Sequence, residues 1–171
     1  LLSVQRDDAF LVLKTDRPVS PEGSDLRRLA RRLGIEGRMR LLTGELSPKK
    51  LRDLYNLVDV YLNLSEWEGF CLPVVEALAC GLPVVTHPVQ GPGETVPYRD
   101  LQVEGGEAVT EAATRLLHAR PGRAAHTLLR AAERPELLRK LSRAGLREAG
   151  QRYDIRSVAH RWAELLERFC L

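Results

Sequence analysis

Glu68 and Glu76 are the side chains best placed, by type and spacing, to do chemistry. They bracket Gly69-Phe70-Cys71-Leu72-Pro73 and an apolar run that continues to Gly81-Leu82-Pro83-Val84-Val85. Pro73 suits a first helical turn, where its missing N–H is no loss. Gly81 suits a helix exit, where positive φ is wanted. The segment therefore reads as a loop, a short helix and a buried strand, with Glu68 in the loop and Glu76 one turn inside the helix. A helix N-terminus presents unpaired N–H groups and a positive dipole end, so the suggested chemistry is anion binding, phosphate above all. Gly69 allows a ligand close to the backbone.

The elements that must hold this segment alternate between strand and helix. Ala9 to Lys14 is a continuous apolar run, expected to be a buried parallel strand. Ser24 is placed to cap a helix that stops at Gly34. Arg38 to Gly44 is a short strand. Ser47-Pro48 opens a helix with Leu51, Leu54, Tyr55 and Val58 on one face. Val58 to Leu64 is the next strand, and Pro83 to Thr86 another. Strands alternating with helices indicate a doubly wound parallel sheet of Rossmann type, in which ligands bind beyond the carboxyl ends of the strands. Lys14, Gly44, Ser65 and Thr86 lie at such ends. His87 to Gly106, rich in Gly and Pro, reads as loop, and Val109 to Leu117 is ambiguous between helix and strand. Helices are expected over 121 to about 134, from Pro135 with Leu137, Leu138, Leu141 and Ala144 inward, and from about Ile155 with Val158, Trp162, Leu165, Leu166 and Phe169 on one face.

Composition narrows the function classes. The chain has 171 residues, 44% apolar and 29% charged, enough for one domain with a core. A net charge of +3 is too small to argue for nucleic acid. Arg27, Arg28, Arg31 and Arg32 share a helix face without interleaved aromatics, which favours a solvated face. The 4 histidines show no metal-ligand spacing, so no metal is expected. The 3 cysteines, Cys71, Cys80 and Cys170, suggest reduced thiols and a cytoplasmic setting. Cys71 reads as a small apolar filler rather than a reactive thiol, since no His or Lys adjoins it. No apolar run approaches the ~20 residues of a membrane span. The first residues resemble a helix tail without an initiator Met, so the chain is expected to begin inside a larger protein.

Taken together, these residues resemble a known family. Leu51-x-x-Leu54-Tyr55-x-x-x-Asp59-Val60 and Ser65-x-x-Glu68-Gly69-Phe70-x-Leu72-Pro73-x-x-Glu76-Ala77-x-Ala79-Cys80-Gly81-x-Pro83-Val84-Val85 are similar to the C-terminal half of a GT-B-fold retaining glycosyltransferase of family 4 (group 1) type. The resemblance implies that Glu68 contacts hydroxyls of the donor sugar and is the catalytic position, and that Glu76 binds the ribose. Carboxylates suit both tasks, because each accepts hydroxyl hydrogen bonds in fixed geometry. It further implies that the backbone near Gly69, Phe70, Cys71 and Leu72 holds the diphosphate or sugar, and that Thr43-Gly44 lies near the base. Ser65 and Lys14 join the donor-binding set. Lys14 either reaches a phosphate or is a solvated lysine, and Glu94 is as much a loop charge as a donor contact. Without the family, Glu76 reads as a helix-dipole partner, and Glu68 as a solvated loop charge like Glu66.

The expected architecture is a single nucleotide-sugar-binding domain over 1–171, lacking its first strand and an N-terminal acceptor domain. The Arg and Lys that pair with the diphosphate in the family would fall upstream of residue 1. The expected function is transfer of a sugar from a nucleoside diphosphate sugar with retention, with no cofactor. The expected partners are the donor and the acceptor domain, with membrane association only through the missing half. The chain alone is expected to be inactive. Two alternatives stay open: another GT-B enzyme such as a nucleotide-sugar epimerase, and a non-catalytic nucleotide-sugar-binding module.

Overall fold

In the computed structural model, which describes residues 6–19, 25–109 and 115–170, strands and helices alternate as the hydrophobic pattern requires. Two compact units divide the chain, Leu1–Leu51 and Arg52–Leu171. In the first, β1 (Leu11–Lys14) pairs in parallel with β2 (Met39–Leu42), Leu11 opposite Met39 and Lys14 opposite Leu42. Between them run α1 (Leu26–Arg32) and a 3-10 turn at Glu36–Arg38. The α1 cap is Asp25, whose carboxylate accepts from the N–H groups of Arg27 and Arg28. Ser24, expected in that role, lies outside the described residues. β1 is not the buried strand its apolar run suggests: Phe10 is 59% and Leu11 39% exposed. Among the described residues β1 has one strand neighbour, β2.

The helix α2 (Pro48–Leu57) crosses from the first unit into the second. Ser47 Oγ accepts from Lys50 N, as the Ser-Pro start predicts. Of its apolar stripe, Tyr55 is buried while Leu51, Leu54 and Val58 are half-buried.

The second unit carries the core. β3 (Tyr61–Asn63) pairs in parallel with β4 (Val84–Thr86), Tyr61 opposite Val84 and Asn63 opposite Thr86. Residues 101–103 continue the sheet, with Thr86 bridged in parallel to Gln102. Between β3 and β4 lies α3 (Leu72–Ala79), with Pro73 in its first turn and Gly81 leaving it at φ 72. Both features follow from the sequence pattern. Val74, Ala77 and Leu78 on α3 and Val84 and Val85 on β4 are fully buried. Each such Val or Leu contributes about 1.5–3 kcal/mol when removed from water. Helices α5 (Pro121–Ala132) and α6 (Pro135–Glu148) cover this core through Ala124, Ala131, Leu141 and Gly145. A π-turn at Ala149–Tyr153 leads to α7 (Ile155–Cys170).

Two stretches differ from expectation. The His87–Gly106 segment is not all loop: it holds a short helix, α4 (Gln90–Thr95), and ends in β5 (Gly105–Val109). Its glycines let α4 press on neighbouring backbone, a tertiary contact that composition alone does not reveal. The described ends of the ambiguous Val109–Leu117 stretch are strand: Val109 closes β5 and Arg115–Leu117 opens β6 (Arg115–Ala119), and the two strands pair antiparallel with Gly106 opposite His118. Residues 110–114 lie outside the described residues.

Candidate functional site

The loop joining β3 to α3 and the first turns of α3 bring the second unit's candidate residues together. Asn63, at the carboxyl end of β3, sets the path. Its Oδ1 accepts from Ser65 N at 3.2 Å, and its Nδ2 donates to Cys71 Sγ at 3.1 Å. Both ends of the loop are thus tied to one buried amide. Asn63 O also accepts from His87 N, which locks the neighbouring strand end.

Cys71 is the residue before α3 and adopts a left-handed conformation, φ 61 and ψ 72. That conformation is uncommon for a side chain outside Gly, Asn and Asp. No side chain caps α3, so its N-terminus keeps the donors that make helix starts attractive to anions. The Cys71 thiol is raised to about 11, first by burial and also by the neighbouring Glu68 carboxylate. It is a buried thiol that accepts from Asn63, a structural tie rather than the plain apolar filler expected.

Glu76 sits on α3 with Oε2 2.9 Å from the hydroxyl of Tyr55, which donates to it. Burial and this carboxylate together push the Tyr55 phenol far above its ordinary range. Tyr61, on β3, is pushed up to about 12, mainly by burial and then by Cys71, Glu68 and Glu76. Both carboxylates therefore act on one phenol, although eight positions separate them in the chain. Glu68 and Glu76 are half-buried, whereas Gly69, Phe70 and Leu72 are exposed at the helix start. Phe70 packs edge-on against Tyr153, ring centroids 5.5 Å apart.

Glu66 is not a simple solvated charge: its carboxylate is hydrogen-bonded to Nδ1 of His118 on β6. Glu94 is exposed on α4. Lys14, Thr43 and Gly44 belong to the first unit. Thr43 and Gly44 are exposed just beyond β2, with Gly44 at φ 78. Lys14, at the end of β1, is ion-paired with Asp16 at 2.6 Å. The groups missed from sequence are Tyr55 as a donor to Glu76 and Asn63 as the loop tie. Tyr55 stands within the Leu51-x-x-Leu54-Tyr55 motif, but there its spacing signals only a helix face. Among the described residues, no group of three or more His, Cys, Asp or Glu could hold a metal ion, and no helix is long and apolar enough to cross a membrane.

The arrangement resembles those of known proteins in sequence as well as form. Residues 5–143 match the family described as Glycosyl transferases group 1. The chain belongs to the group 1 glycosyltransferases. It is 35% identical over 146 residues to a GDP-mannose:cellobiosyl-diphosphopolyprenol alpha-mannosyltransferase of Komagataeibacter xylinus, covering 84% of this chain and 34% of that protein. It is 38% identical over 82 residues to a D-inositol 3-phosphate glycosyltransferase of Rhodococcus erythropolis, covering 44% of this chain and 18% of that one. The chain therefore spans about a third or less of these relatives. Among solved structures, sucrose-phosphate synthase from Thermosynechococcus elongatus superposes with TM-score 0.72 at 19% identity, over 98% of this chain and 48% of that one. HepE of Anabaena, in complex with UDP-glucose, superposes with TM-score 0.62 at 19% identity, over 98% and 52%. These likenesses establish the fold of one Rossmann-like half of a GT-B glycosyltransferase.

Proposed function

We propose that this chain is the donor-binding part of a retaining glycosyltransferase of family 4 type, which moves a hexose from a nucleoside diphosphate sugar to an acceptor without a metal cofactor. The observation that carries the reading is the uncapped start of α3, with Glu68 in the loop before it and Glu76 inside its first turns. In this reading Glu76, oriented by the Tyr55 hydroxyl, accepts hydrogen bonds from ribose hydroxyls. Glu68 accepts from hydroxyls of the donor sugar. Backbone N–H groups from Gly69 to Leu72 face the diphosphate. As the glycosidic bond to phosphate breaks, negative charge grows on the leaving diphosphate, and preorganised donors at a helix start lower that barrier. Thr43 and Gly44 are assigned to the base and Ser65 to the donor pocket. Lys14 is assigned to the phosphate contacts. The acceptor, in this reading, is bound by an N-terminal domain of the same protein. GDP-mannose, the donor of the Komagataeibacter xylinus relative by its name, is the first donor to assay.

The test is product analysis with the full-length enzyme that carries this chain. Sugar transfer releases a nucleoside diphosphate and forms a new glycosidic bond in equal amounts, with the anomeric configuration of the donor kept. Release of free nucleotide without a new glycosidic bond, as an epimerase would give, contradicts the proposal. Glu68→Ala should lower turnover by at least about 100-fold, the usual scale for a transition-state contact.

A further inference from the structure

The Glu68 loop is held by two residues with no place in the donor reading. The backbone N–H of Glu68 donates to Oε1 of Gln90, the first residue of α4, at 3.3 Å. Gln90 is one of two non-glycine residues with positive φ among the described residues, at φ 40; the other is Cys71. Glycine would occupy that conformation without strain, but it would carry no amide to reach Glu68. Gly91, next in sequence, lies directly beneath the same loop. A Cβ there would stand 1.8 Å from Gly69 O and 2.8 Å from Phe70 Cα, closer than any side chain permits. Backbone-to-backbone contact at Gly91 thus sets the height of the loop, and the Gln90 carboxamide sets its register.

We propose that Gln90 is a positioning residue for Glu68: its side-chain oxygen clamps the Glu68 N–H over the Gly91 backbone and so fixes where the Glu68 carboxylate meets the sugar of a nucleoside diphosphate sugar. The consequence for turnover rests on the donor-binding reading, whereas the clamp itself does not.

The experiment compares three variants in the full-length enzyme. Gln90→Gly relieves the positive φ and removes the acceptor. Gln90→Asn tolerates the positive φ but falls a methylene short. Gln90→Glu keeps an acceptor oxygen at the same reach. Hydrogen exchange of the peptide spanning 65–72 should speed up at least tenfold in the Gly and Asn variants and stay within threefold of wild type in the Glu variant. Thermal stability of the Gly variant should equal or exceed wild type, which a merely structural role does not allow. Turnover should fall at least fivefold in the Gly and Asn variants, with KM for the sugar nucleotide within twofold, and Gln90→Glu should recover at least half of it. Unchanged exchange in Gln90→Gly overturns the clamp. Faster exchange with unchanged turnover overturns positioning, provided Glu68→Ala is itself impaired. If Glu68→Ala turns over normally, the donor reading fails, and the positioning role fails with it.

Discussion

The hydroxyl of Tyr55 donates to Glu76 across 21 residues of sequence, and both groups are largely withdrawn from water. Tyr55→Phe keeps the ring and deletes the donor, so it should destabilise the fold by about 1.5 kcal/mol, the scale of a hydrogen bond to a charged group. Denaturant unfolding measures this, and an unchanged midpoint would mean that Glu76 finds another partner at no cost. Cys71 gives a pH signature. Burial raises its thiol from 9.0 to about 11, so the folded state holds its proton where the unfolded chain has lost it. The stabilising contribution is complete below pH 9 and declines as pH rises towards about 11. Tyr61 and Tyr98, each raised from 10.0 to about 12, carry the decline further. Cys71→Ala should flatten the pH 9–11 limb of a stability-against-pH curve, and an unaltered slope would contradict the burial account.

Among the elements, α3 is where sequence and structure agree most closely. Pro73 in the first turn, Gly81 at the exit and the β4 strand beyond were legible because each is a local backbone requirement written at one position. Gly81→Ala tests this: at φ 72, with Leu146 Cδ1 and Ser142 Oγ each 3.2 Å from the new Cβ, it should lower stability by about 1–2 kcal/mol in chemical unfolding. A neutral result would mean that the turn can relax. α4 was not legible, since Gln90-Gly91-Pro92-Gly93 has the composition of a loop and becomes helical against Gly69 and Pro88. The pairs Tyr55–Glu76 and Gln90–Glu68 were illegible for a related reason. They join residues 21 and 22 positions apart, and no periodicity within one element encodes such a meeting. The β1 apolar run misled because a strand's hydrophobicity states what it can bury, not which neighbours cover it.

At the scale of the molecule, the second unit's core is built around α3 and β4, while α7 leaves Trp162, Leu165, Leu166 and Phe169 between 44% and 78% exposed. In this chain that face contributes little to stability. Leu166→Lys should therefore change unfolding free energy by no more than about 0.5 kcal/mol, the range for surface sites, and a larger loss would show that the face is covered. The proposed function divides the two carboxylates, Glu76 for the nucleotide and Glu68 for the sugar. Calorimetric titration of the full-length enzyme with UDP, GDP and ADP, wild type against Glu76→Ala, tests that division most directly. The preferred nucleoside diphosphate should lose about 1.5–3 kcal/mol of affinity when Glu76 becomes Ala. Undiminished affinity for all three would contradict the assignment of Glu76 to the ribose.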